Sequence, residues 1–151
     1  MIEGVAIKPL KVNADERGTL MEILRADDDI FLRFGQVYTS MSYPGVIRAW
    51  HYHRLQDDLF AVVKGMIKTV LYDPREESPT KGEVNELFLG ERNSILLKIP
   101  RGVIHGFKVI GVEPAILLNL PTEVYRPDQP DEYRLPWNTP EIPYDWAIKF
   151  T

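Results

Sequence analysis

The chain has no cysteine among its 151 residues. Disulfides, thiolate nucleophiles and cysteine metal ligands are therefore excluded, while the redox compartment stays open. No apolar run approaches the ~20 residues that a membrane-crossing helix requires, and Met1–Leu10 lacks the apolar core of a secretory signal. A cytoplasmic location with no membrane partner is the expectation. Neither charge sign dominates: 18 Lys and Arg stand against 22 Asp and Glu, a formal net charge of -4, with no block of like charge. That balance excludes the basic footprint of a nucleic-acid binder, so an anionic ligand must be met by individual arginines. Long amphipathic helices are also missing, which excludes a doubly wound α/β fold.

What is present is a series of short β-branched and aromatic runs between Gly, Pro and Asp residues. They fall at 20–25, 36–42, 46–53, 59–63, 66–72, 85–89, 95–99, 106–110 and 115–120. Runs of about five residues at such regular spacing predict an all-β sandwich or barrel with little helix. Only Asp27–Phe34 has helical character, with acids at 27–29 ahead of Ile30, Phe31 and Phe34. One domain spanning 1–151 is expected. From about residue 121 prolines alternate with Tyr125, Tyr133, Trp137, Tyr144 and Trp146, a composition unsuited to central strands. That segment is expected to wrap the barrel or line its mouth.

All three histidines fall in two segments, one running Gly45, His51, His53, Asp58, Gly65 and the other Pro100, Gly102, His105. This spacing resembles the two metal-binding motifs of a cupin, a jelly-roll barrel or double-stranded β-helix. Side chains two apart on a strand share a face, so His51 and His53 can enter one cavity that Asp58 and His105 reach from neighbouring strands. The four residues form a ligand set for a divalent transition metal and serve equally for proton transfer.

Further segments resemble one family in order. Asp15 to Glu22 reads D-x-R-G-x-hydrophobic-x-E, Gly45 to Tyr52 is similar to G-V-L-R-G-L-H-Y, and Tyr72 to Gly82 to D-x-R-x-x-S-P-T-x-G. Ile99 to Phe107 resembles I-P-x-G-x-A-H-G-F, and Tyr125-Arg126-Pro127 resembles Y-x-P. These are the motifs of the nucleotide-sugar 3,5-epimerases typified by dTDP-4-dehydrorhamnose 3,5-epimerase. The resemblance implies a cofactor-free homodimeric isomerase that removes a proton α to the 4-ketone of a nucleoside-diphosphate 4-keto-6-deoxy-hexose, in polysaccharide or deoxysugar biosynthesis. It makes His51 the base, lines the site with His105, and gives Arg17 and Arg48 to the substrate and its diphosphate. Arginine forks suit diphosphate oxygens, and a C–H beside a ketone is within reach of a histidine base if the enolate is stabilised. Since residues 48 and 51 are an odd number apart, both can face the cavity only across a bulge or bend.

Two departures from the family pattern stand out. The family's enolate-stabilising lysine falls opposite Asp58, where a carboxylate opposes the reaction unless it is protonated, turned onto a histidine or bound to metal. The family's acid tyrosine falls opposite Asn119, which donates hydrogen bonds but no proton at neutral pH. In the leading reading Asp58 fixes the His51 tautomer, and Tyr125, Tyr52 or His53 reprotonates the enolate; Tyr52 and Asn119 are also expected to contact substrate. The alternatives are a metal-dependent cupin isomerase or oxygenase using His51, His53, Asp58 and His105, and a non-catalytic sugar-binding cupin.

Overall fold

The computed structural model describes residues 1–150, and among these no helix forms. Twelve strands are present: β1 (Ala6–Pro9), β2 (Val12–Asp15), β3 (Gly18–Met21), β4 (Tyr38–Ser42), β5 (Ile47–Tyr52), β6 (Asp58–Lys64), β7 (Met66–Tyr72), β8 (Val84–Gly90), β9 (Ile95–Ile99), β10 (Ile104–Ile110), β11 (Ala115–Asn119) and β12 (Tyr133–Arg134). Two five-stranded antiparallel sheets, ordered β1-β9-β6-β11-β4 and β12-β5-β10-β7-β8, face each other as a jelly roll. The β2–β3 hairpin stands apart as a two-stranded sheet.

Strand alternation sorts the side chains into three layers. Between the sheets, Phe60, Val62, Leu71, Leu97, Phe107, Val109 and Leu117 form a buried core, each large apolar side chain contributing about 1.5–3 kcal/mol by burial. Leu59, Ala61 and Leu96 point to the outer face of the first sheet and are covered by Leu10 and Ile30. The outer face of the second sheet is covered by the C-terminal segment, where Ile142 and Trp146 pack on Trp50, Val70 and Ile104. Lys68 and Lys108 fasten that segment by donating to the carbonyls of Ala147 (3.1 Å) and Trp146 (2.9 Å). The expected wrap is thus observed, and β12 joins it to the edge of β5.

The predicted helix at Asp27–Phe34 is absent, and residues 26–30 form turns instead. The acids that suggested a helix start are engaged elsewhere. Asp28 accepts from the Arg25 backbone N–H and pairs with Lys8 on β1, while Asp27 pairs with Arg25. Ile30 is thereby delivered to the cluster under β6 and β9, and Phe34 is left exposed.

The expected bulge is also observed. His105 pairs with His51 and Phe107 with Arg48, so two steps along β10 match three along β5. The extra residue brings Arg48 and His51 to the same cavity. Gly106 permits it: a Cβ there would lie 2.3 Å from the Ala49 Cβ and 2.8 Å from its Cα.

Candidate active site

Three inward rows of side chains change from apolar to polar at the same end of the barrel. On β6 the row runs Val62, Phe60, Asp58; on β10, Val109, Phe107, His105; on β11, Ala115, Leu117, Asn119. All three polar ends are 1% exposed. Burial of this kind is costly unless the groups find partners, and among the described residues His105 Nε2 has only the nearby Asp58 carboxylate, with no hydrogen bond. Above them opens a cavity of about 1240 Å³, into which His51, His53, Tyr38 and Arg48 project.

Asp58 is the hub. Its Oδ1 accepts from Gln56 Nε2 (2.9 Å) and Asn119 Nδ2 (3.1 Å). Its Oδ2 lies 3.1 Å from His53 Nε2 and 3.3 Å from His105 Nε2. Burial pushes the Asp58 carboxyl up, but the two imidazoles and their hydrogen bonding outweigh it and hold the group far below the usual carboxylate range. Both histidines have their other nitrogen fixed: His53 Nδ1–H donates to the Asp131 carbonyl and His105 Nδ1–H to the Val103 carbonyl (3.1 Å). Burial pushes His53 down, yet the hydrogen bond and charge of Asp58, with the Asp131 carbonyl behind, carry it above its ordinary value. Asp58 therefore favours the charged form of His53. His53 lines the cavity while Asp58 sits behind it, so the positive end of the dipole faces inward.

His51 differs. Its ring packs edge-on against His105 at 4.3 Å between centroids and has no carboxylate within ion-pair distance among the described residues. Burial first, then the neighbouring His105, hold it well below its ordinary value. His51 is thus neutral near pH 7 and free to accept a proton.

The carboxylate departure foreseen in the sequence resolves in one of the three ways allowed: Asp58 is turned onto histidines, His53 and His105, rather than onto His51. Those three residues also bring ligand atoms within 4.8 Å of one another, a donor set that suits a divalent transition metal. Their fixed Nδ1 protons leave both Nε2 atoms facing that point, as metal-binding imidazoles require. His51, the fourth predicted ligand, stays outside the set.

Two predicted contacts fall elsewhere. Tyr52 alternates with His51 and His53, faces the outer side of β5 and stacks on Tyr133 at 5.1 Å. Arg17 is at the tip of the β2–β3 hairpin, 85% exposed and paired with Asp15 (2.6 Å), away from this chain's own cavity. Asn119 is buried behind the cavity lining, engaged by Leu59 N–H, Asp58 and Tyr38. His105 likewise packs behind His51. Tyr125 lies at the mouth, its backbone N–H donating to Gln36 Oε1 (2.9 Å). Among arginines at the cavity, Arg33, Arg101 and Arg134 are tied to Glu123, Asp57 and Glu132. Arg48 and Arg126 line it with no carboxylate partner among the described residues, leaving two cations for an anionic ligand.

Sequence reasoning missed Tyr38, Gln56 and Asp131. Tyr38 and Ser40 alternate on the inward face of β4, a period-two pattern that places them on one face but does not mark either as functional. Asp131 locks the loop after β5, its carboxylate accepting from the N–H groups of Arg54, Leu55 and Gln56. No local pattern marks it.

Comparison with known proteins places these features in context. The model of the dTDP-4-dehydrorhamnose 3,5-epimerase family matches residues 1–151. The spore coat polysaccharide biosynthesis protein SpsL of Bacillus subtilis is 47% identical over 150 residues, covering 99% of each chain. The probable low-salt glycan biosynthesis epimerase Agl13 of Haloferax volcanii is 47% identical over 147 residues, 96% of this chain and 94% of that one. Among solved structures, a dTDP sugar isomerase from Desulfovibrio desulfuricans superposes with a TM-score of 0.91 at 38% identity, covering 96% of this chain and 92% of the other. An epimerase from Legionella pneumophila, solved in complex with dTDP-4-keto-L-rhamnose, gives 0.83 at 30% identity, covering 96% and 79%.

Proposed function

We propose, from the premise that this chain belongs to the dTDP-4-dehydrorhamnose 3,5-epimerase family, that it epimerises a nucleoside-diphosphate 4-keto-6-deoxy-hexose at C3, C5 or both. The two relatives at 47% identity support a place in polysaccharide or glycan synthesis. The observation that carries the reading is the contrast between two histidines two residues apart, at the end of β5 and just after it: neutral His51 open to the cavity, and His53 paired with Asp58 at 3.1 Å, which favours its charged form.

His51 removes the proton α to the ketone, and the electrons move through the new C=C bond onto the ketone oxygen. The positive end of the His53–Asp58 pair stabilises that oxyanion across a cavity wall of low dielectric, the work that a lysine does elsewhere in the family. Arg48 and Arg126 meet the diphosphate. Base and oxyanion stabiliser are side chains, so no cofactor is required. A divalent cation on His53, Asp58 and His105 would polarise the ketone.

The reading includes a cytoplasmic homodimer. No helix of the described residues is long and apolar enough to cross a membrane. The β2–β3 hairpin, with Val12, Leu20 and Arg17 exposed, supports an assignment in which Arg17 reaches the cavity of a second copy. Incubation with 4-keto-6-deoxy nucleotide sugars in heavy water tests the reaction directly: deuterium enters C3, C5 or both, and absence of incorporation with every dTDP-, UDP-, GDP- and CDP-linked ketosugar would falsify it.

A further inference from the structure

Epimerisation needs proton-transfer groups on opposite faces of the planar enolate, because a base that returns the proton to its own side regenerates the starting configuration. His51 enters the cavity from β5 in the second sheet. The acid belongs on the facing sheet. We propose that Tyr38, on β4 of the first sheet, reprotonates the enolate carbon from the face opposite His51, an assignment that rests on the epimerase reading above.

Position comes first. Tyr38 occupies the inward row of β4, lines the cavity, and pairs across strands with Asn119. Orientation follows from a chain of buried hydrogen bonds. The Leu59 N–H donates to Asn119 Oδ1 (3.2 Å), which fixes the amide so that Nδ2 must face the other way. Its two protons go to Asp58 Oδ1 (3.1 Å) and to the Tyr38 hydroxyl oxygen (2.9 Å). The phenol therefore accepts from Asn119 and keeps its own O–H free for the cavity. Asn119 ties the acid to the same hub that charges His53.

The chemistry balances. His51 takes the proton from carbon, and the enolate forms. The Tyr38 O–H bond then breaks, its proton bonds to that carbon on the far face, and the ketone C=O is restored as the electron pair returns. The phenolate left behind accepts the Asn119 hydrogen bond; solvent then returns a proton to it and removes one from His51. Burial and the nearby Asp58 charge raise the Tyr38 phenol above its ordinary value despite the Asn119 bond, so it holds its proton at neutral pH. Tyr125 is exposed to a similar degree, 54% against 45% for Tyr38, but lacks this support: its hydroxyl has no hydrogen-bond partner among the described residues.

The test separates inversion from exchange. In heavy water, Tyr38→Phe should form inverted product about 10²–10⁴-fold more slowly, the range for loss of a general acid. Deuterium should still enter the uninverted substrate at the same carbon, since His51 can return a solvent deuteron to the original face. Tyr38 lies on an edge strand with its ring partly exposed, so phenylalanine leaves the fold intact. Tyr125→Phe should keep the wild-type ratio of inversion to exchange. Inversion at the wild-type rate in Tyr38→Phe overturns the assignment, and so does equal loss of exchange and inversion in a variant that melts like the wild type. Absence of both processes in the wild type overturns the epimerase reading itself, and the assignment with it.

Discussion

Replacing Asp58 by asparagine removes one charge from the hub while keeping its size and its Oδ1 acceptor for Gln56 and Asn119. The carboxylate is what holds the proton on His53, whose burial otherwise pushes it down. In Asp58→Asn the ring loses the partner that favours its charged form, its titration moves down, and the cavity wall becomes less positive. Because His53 acts across space and not through a direct hydrogen bond, kcat should fall by about 10²-fold, ~2.7 kcal/mol, the lower end for loss of an oxyanion-stabilising group. Stability should drop by about 1.5–3 kcal/mol, as for one charged hydrogen bond. The larger penalty of about 3–5 kcal/mol for stranding a buried charge does not apply, since His53 discharges with its partner.

The pH dependence has a definite sign. Asp58 is depressed, so its contribution is present above the unfolded value of about 3.9 and is lost as pH falls through the lower folded value. His53 is raised, so its contribution is complete below about 6.5 and is lost as pH rises through the folded value. The contribution of the Asp58–His53 pair should therefore be greatest between roughly pH 4 and 6.5, set against the loss from His51, whose depressed folded value costs stability as pH falls below about 6.5; the difference between wild type and Asp58→Asn should peak in that window. Urea unfolding across pH, steady-state kinetics and NMR titration of the histidine rings read the three effects. Unchanged kcat with an unmoved His53 titration would refute the reasoning.

Arg48→Ala should weaken nucleotide-sugar binding by about 1.5–3 kcal/mol, one charged contact, with the exchange chemistry of bound substrate retained; calorimetric titration checks it. Mixing two inactive variants, Arg17→Ala and His51→Asn, should restore activity if Arg17 serves a partner's cavity, because one site of each hybrid dimer is then complete; no recovery contradicts the shared site. Protein purified without an affinity tag or added metal should turn over unchanged after chelation, whereas near-stoichiometric metal that disappears with activity in Asp58→Ala would make His53, Asp58 and His105 a metal centre.

Much of this architecture was legible because strand alternation is strict. The rows ending in Asp58, His105 and Asn119 are period-two patterns, and the odd spacing of Arg48 and His51 demanded the bulge found opposite Gly106. Three strands escaped notice for physical reasons: β1 ends in Pro9, β2 is exposed along its whole length, and β12 is two residues among prolines. Asp27–Phe34 misled because its acids cap a turn instead of a helix. At the site, histidine stood out by rarity. Tyr38 and Asp131 did not, since their partners Asn119 and His53 lie 81 and 78 residues away and a strand tyrosine ordinarily signals packing.

The central claim is that His51 is the base, and His51→Asn with a 4-keto-6-deoxy nucleotide sugar in heavy water tests it most directly. Deuterium incorporation at C3 or C5 should fall by about 10²–10⁴-fold for loss of acid–base catalysis, while nucleotide-sugar affinity and melting temperature stay near wild type. Near-normal incorporation, or loss of binding and folding together with exchange, would contradict it.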